Sequence, residues 1–120
     1  MENKEFAKQL EIRTKKFAIG VIKLSSSIPG SSEANVIKNQ ITKSGTSIGA
    51  NYREANRSRS TRDFANKIRI SESEASETVY WLEIIEEIEW LSKDKLENIM
   101  KEARELLAIF TAISSKLKDK

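Results

Sequence analysis

The apolar residues of this chain recur at steps of three and four along most of its length, which is the spacing of one helical face. Nothing alternates with a period of two over a useful length, so strands are not expected. Pro29 and Gly30 interrupt the first apolar series, and a polar turn at 57–61 interrupts the second. The pattern predicts four helices, at about residues 3–28, 33–57, 61–91 and 94–118.

Serine residues mark the expected helix starts. Ser31 or Ser32 can cap the second helix, and Ser60 with Asp63 forms a capping box for the third. Because the connections are short, sequential helices should run antiparallel. The sequence therefore predicts a single all-α domain over 1–120, an antiparallel up-down-up-down four-helix bundle.

Small residues face each other across the predicted hairpin of helices two and three. If the turn is centred near 59–60, positions whose numbers sum to about 119 lie side by side, for example Ile48 and Ser71. Gly45 and Gly49 each cost about 0.5–1 kcal/mol relative to Ala inside a helix. We expect them, with Ala75, to allow a close approach of helices two and three. The alternative is that the glycines are tolerated without a role.

Composition argues against catalysis. The chain contains no cysteine and no histidine, so thiolate nucleophiles, disulfides, histidine bases and the Glu-x-x-His metal pattern of bundle enzymes are all excluded. Serine is abundant, but no base is evident to activate one. We therefore expect a protein that is not an enzyme and has no cofactor or metal. No signal peptide or membrane-spanning run is evident, which favours the cytoplasm and no membrane contact.

The formal net charge of +3 conceals two oppositely charged segments. Residues 38–69 contain eight Lys or Arg against two acids, whereas 72–105 contain eleven acids against four bases. Such asymmetry bears on partners and self-association rather than on the fold.

The basic segment surrounds the predicted turn between helices two and three. Arginine predominates, and its planar fork suits phosphate contacts. The sequence therefore predicts sequence-tolerant, salt-sensitive binding of nucleic acid, with RNA as the favoured ligand. The candidate residues are Lys43, Arg53, Arg57, Arg59, Arg62, Lys67 and Arg69. In the alternative hypothesis these arginines pair with the acids of helix three from another subunit or partner, and the protein is a protein–protein scaffold without nucleic-acid contact.

The third helix carries more apolar residues than one core-facing stripe needs. A surplus apolar face marks a protein–protein surface, and Trp is favoured at such surfaces. The residues predicted to form an oligomer interface are Glu74, Glu77, Trp81, Ile84, Ile88 and Leu91. The alternative is that the apolar residues only widen the core.

Two motifs in this hairpin carry a family resemblance: SGTSIGANYREA at 44–55 and SEASETVYWLE at 73–83, with Asp63-Phe64 between them. Over about residues 35–118 the chain resembles the bacterial four-helix-bundle family of 23S rRNA intervening-sequence proteins. The resemblance implies a left-handed bundle that assembles into a homopentamer. A related branch is the accessory subunit of diversity-generating retroelements, which implies a reverse transcriptase and its RNA as candidate partners.

Overall fold

The computed structural model describes residues 3–118 and contains four long helices there: α1 (Lys4–Ser26), α2 (Ser32–Asn56), α3 (Thr61–Ile88) and α4 (Lys93–Lys118). The helices form a bundle with overall dimensions of 45 × 23 × 21 Å. α2 packs on α1 and α3, α3 packs on α4, and α4 contacts α1 less extensively. No strand occurs between residues 3 and 118, so the predicted all-α four-helix bundle is confirmed.

Side chains cap the first three helices. Asn3 accepts a hydrogen bond from the backbone N–H of Phe6, Ser31 from that of Ala34, and Ser60 from that of Asp63. Each cap satisfies a backbone donor that has no partner inside the helix. The predicted roles of Ser31 and Ser60 are therefore confirmed.

α3 ends three residues earlier than the periodicity predicts. Glu89 adopts a left-handed conformation, with φ 66° and ψ 33°. The N–H of Glu89 bonds to the carbonyl of Glu86, and the N–H of Trp90 bonds back to Ile85. These two bonds form a Schellman motif. The apolar pattern continues to Leu91 because Trp90 and Leu91 still pack on the core after the helix has ended.

The hairpin of α2 and α3 has the predicted register. Ser71 Oγ donates to the carbonyl oxygen of Ile48 at 2.9 Å, and Thr78 Oγ1 lies 2.9 Å from Ser44 Oγ. Both contacts are buried and join positions whose numbers sum to about 120. Ala75 lies between Ser71 and Thr78 on α3 and is fully buried. The prediction that small residues line this interface is confirmed for the serines, the threonine and Ala75.

The two glycines of α2 face α1, which corrects the predicted partner helix. A methyl group added at Gly45 would lie 2.9 Å from both Cγ atoms of Val21. A methyl group added at Gly49 would lie 2.8 Å from Thr14 Oγ1 and 3.3 Å from the backbone carbon of Thr14. Gly45 and Gly49 are therefore close-packing positions, as expected, but for α1 and α2. The glycines lie on one flank of α2, and the residues that meet α3 lie on the other.

Candidate nucleic-acid interface

Three chain segments meet at one end of the bundle: the start of α1, the turn between α2 and α3, and the start of α3. A cleft of about 620 Å³ lies among them, and Lys4, Lys8 and Arg59 are among its lining residues. Helices α1 and α3 begin here and α2 ends here, so helix dipoles of both signs meet, and the positive charge of this end comes from its Lys and Arg side chains. We call this region the basic end.

The three arginines nearest the turn are free of carboxylate partners. Arg57, Arg59 and Arg62 are all exposed, and none of them forms an ion pair with any residue in 3–118. Arg57 is the C-cap residue of α2, and Arg62 lies in the first turn of α3. Their guanidinium groups are therefore available to an anionic partner.

Other predicted basic residues are already engaged. Arg53 Nε lies 3.8 Å from Glu11 Oε1 on α1, and Lys67 Nζ lies 2.7 Å from Glu54 Oε1 on α2. Both pairs are partly exposed, so they compete weakly with a phosphate.

Arg69 donates to Asn66 Oδ1 at 3.3 Å and lines a shallow groove between α3 and α4. It lies about two turns along α3 from the basic end and so borders that region rather than belonging to it.

Lys43 does not belong to the basic end, contrary to the sequence-based prediction. It lies fourteen positions before Arg57 on the same helix, which corresponds to about 21 Å along the axis. It interacts electrostatically with Glu74 instead. Burial and the neighbouring Glu77 raise the pKa of Glu74, and Lys43 partly offsets that rise.

Two lysines at the basic end escaped the sequence analysis. Lys4 and Lys8 are exposed on the first two turns of α1 and line the cleft beside Arg59. The predicted antiparallel topology was enough to locate them, because it places the start of α1 beside the α2–α3 turn. The distribution of charge along the chain does not by itself show this proximity across the bundle.

A second surface lies on the outer side of α3. Apolar side chains remain exposed or partly exposed there, and we call this surface the α3 patch; it comprises Tyr80, Trp81, Ile84 and Ile88. The rings of Tyr80 and Trp81 contact edge to face, with centroids 5.0 Å apart.

The α3 patch differs from the predicted oligomer interface in its membership. Leu91 is wrong as a surface residue, because it is only 8% exposed, whereas Ile88 is 51% exposed. The left-handed turn at Glu89 directs the following residues back onto the core. Tyr80, which is not among the predicted residues, is 55% exposed and therefore slightly more exposed than Ile88.

The two predicted interface glutamates have local roles. Glu77 Oε2 accepts a hydrogen bond from Trp81 Nε1 at 3.2 Å, which orients the indole ring at the surface. Glu74 is half-buried beside Lys43, and its backbone carbonyl lies 2.7 Å from Thr78 Oγ1. Neither carboxylate forms an ion pair with a residue in 3–118.

Among the described residues, no group of three or more acidic, histidine or cysteine side chains is arranged to hold a metal ion. Between residues 3 and 118, none of the four helices has an apolar stretch long enough to cross a membrane.

The fold and these two surfaces define a class of protein, a four-helix bundle with a basic end and with exposed apolar residues on α3. The family model of the 23S rRNA-intervening sequence protein matches residues 3–112, and this chain belongs to that family. No curated protein matches the chain.

A crystal structure from Bacteroides thetaiotaomicron is similar in sequence and fold. It is described as a protein with unknown function from the S23 ribosomal protein family. The two chains share 35% identity, with 87% of this chain and 96% of the other covered and a TM-score of 0.80.

Proposed function

We propose that this protein is a non-enzymatic, oligomeric binding protein of the cytoplasm that binds RNA, or another nucleic acid, through its basic end. The observation that carries the proposal is the exposure of Arg57, Arg59 and Arg62 without carboxylate partners, beside Lys4 and Lys8. Guanidinium groups bind phosphate oxygens through paired hydrogen bonds.

The basic end supports backbone binding rather than base recognition. Tyr52 and Phe64, the aromatic residues closest to the turn in sequence, are buried in the core. Phe6 is exposed on the first turns of α1, but proteins that stack unpaired bases use several aromatic residues in succession. Phosphate contacts carry little sequence information. The proposed binding is therefore salt-sensitive and tolerant of sequence.

A mobility-shift titration of a structured RNA over a range of salt concentrations tests this proposal. Each Arg→Ala change at Arg57, Arg59 or Arg62 should reduce the slope of log-affinity against log-salt by about one or less, because one phosphate contact is lost. The matched control is the same loss of charge on α4, with Lys93, Lys95 and Lys101 replaced by Ala.

The control variant should bind as the unchanged protein does, because these lysines lie along α4, away from the basic end. If a variant with Arg57, Arg59 and Arg62 all changed to Ala lost no more affinity than this control, only net charge would matter. Absence of any shift at low salt, with a folded protein, would reject nucleic-acid binding.

A second candidate function is a protein–protein scaffold, and the α3 patch supports it. Tyr80, Trp81 and Ile88 leave apolar area in water, which a stable protein normally covers with a partner. Candidate partners are further copies of this chain, in the pentamer that the family resemblance implies, and a reverse transcriptase. Co-purification at low salt separates the candidates: RNA favours the first function, and a defined protein without RNA favours the second.

A further inference from the structure

The outer face of α1 combines exposed isoleucines with lysines. Ile12, Ile19 and Ile22 are 53%, 46% and 46% exposed. Spacings of seven and three residues place them on one side of the helix. Exposed lysines surround them: Lys8, Lys15, Lys16 and Lys23. None of these lysines forms an ion pair with a residue in 3–118. We call this surface the α1 face.

The local sequence around the α1 face is wholly basic. Residues 12–32 contain no Asp or Glu, and Arg13 is occupied by Glu102 and Glu105 of α4. An apolar stripe with a uniformly positive rim is complementary to an apolar stripe with a negative rim.

The α3 patch has the complementary character. Residues 70–92 contain seven glutamates and neither Lys nor Arg. Glu77 and Glu87 are exposed on the same outer side of α3 as Tyr80 and Ile84. The chain therefore presents one basic and one acidic apolar surface.

The two surfaces cannot meet within one molecule. α1 packs on α2 and α4, and it makes no contact with α3, which lies diagonally across the bundle. Both surfaces also point away from the core, since their apolar residues are exposed while the core residues of the same helices are buried.

We infer that the α1 face of one copy binds the α3 patch of a second copy. This inference rests on the proposed self-association and names the two surfaces that form it. Because the two surfaces differ, the contact is heterologous, and repetition of it leads to a closed ring or to an open chain. The isoleucines cover Tyr80, Trp81 and Ile88, and the lysines face the glutamates.

Charge reversal on each surface tests the inference. The α1 variant carries Lys16→Glu and Lys23→Glu, and the α3 variant carries Glu77→Lys and Glu87→Lys. Each variant alone places like charges across the contact, and we expect at least about tenfold weaker self-association by light scattering over a concentration series. The variant with all four changes restores opposite charges and should regain the mass of the unchanged protein. Helical circular dichroism checks that every variant is folded.

The outcomes separate this inference from the proposed self-association. If the unchanged protein is monomeric at micromolar concentration, self-association itself fails. If the α3 variant dissociates but the α1 variant keeps its full mass, self-association stands and the inference is wrong. Failure of the fourfold variant to reassemble would also overturn it. If the α1 variant instead loses RNA binding at unchanged mass, the α1 face belongs to the nucleic-acid surface.

Discussion

Helix α2 contacts its two neighbours through small residues on both flanks, but the two flanks use them for different purposes. On the α1 side, Gly45 and Gly49 leave room for Val21 and Thr14. On the α3 side, Ser44 contributes a polar contact to Thr78. The first interface depends on an absent side chain, whereas the second depends on buried hydroxyl groups that have partners. Small residues in sequence therefore do not by themselves reveal which property an interface needs.

The largest change in stability should come from adding one methyl group to a glycine on the flank of α2 that faces α1. In Gly45→Ala the new Cβ would meet both Cγ atoms of Val21 at 2.9 Å, and this branched side chain is fully buried, so it or the helix backbone must shift. We expect the free energy of unfolding to fall by about 1–2 kcal/mol, after a helix-propensity gain of about 1 kcal/mol is subtracted. Urea unfolding at fixed protein concentration measures it.

Gly20 provides the matched control for Gly45. A methyl group there would meet only the Cδ1 atom of Ile99, at an ordinary distance of 3.8 Å. Gly20→Ala should therefore raise the free energy of unfolding by about 0.5–1 kcal/mol. Equal stabilisation by both substitutions would show that the α1–α2 interface does not need its glycine.

A smaller loss of stability is expected at the α2–α3 interface, where buried hydroxyl groups form hydrogen bonds. Ser71→Ala removes a buried hydrogen bond to the carbonyl of Ile48 and should cost about 0.5–1.5 kcal/mol. Ser114 provides the contrast, because its buried Oγ has no hydrogen-bond partner in the described structure. Ser114→Ala should leave stability unchanged or raise it slightly, since an unsatisfied group is removed. Thermal unfolding of both variants measures the difference. Equal losses of stability in Ser71→Ala and Ser114→Ala would contradict it.

The smallest effect should depend on pH and concerns Glu74, at the edge of the α2–α3 interface. Burial, with a contribution from Glu77, raises the pKa of its carboxyl group above the ordinary 4.5. The folded state therefore favours the protonated form of Glu74. Below pH 4.5 the group has no effect on stability; as the pH rises above 4.5 it lowers the free energy of unfolding, and this effect is complete once the pH exceeds the raised pKa of the folded state. Glu74→Gln should be the more stable form at pH 7, and its advantage should vanish below pH 4.5. Unfolding curves across that range provide the measurement, and an advantage independent of pH would rule out the titration of Glu74 as its cause.

Some residues of the candidate sites could be predicted from the sequence, and others could not. The arginines of the α2–α3 turn were found because a turn brings neighbours in sequence together in space. Lys4 and Lys8 were missed because their nearness to the turn depends on packing between distant segments. Leu91 was assigned to the surface because helical periodicity was extended beyond Glu89, where the backbone in fact reverses.

The sequence by itself determined the four helices, two of their caps and the register of α2 on α3. These features depend on local periodicity, on hydrogen bonds between near neighbours and on the length of one short turn. Tertiary structure alone decided that Gly45 and Gly49 face α1, because both flanks of α2 carry small residues and only packing against distant helices distinguishes them. It also decided that the α1 face and the α3 patch point to opposite sides of the bundle. In the sequence, the exposed apolar residues of both helices continue the same helical spacing as the core residues, and only their burial in the folded structure distinguishes the two groups.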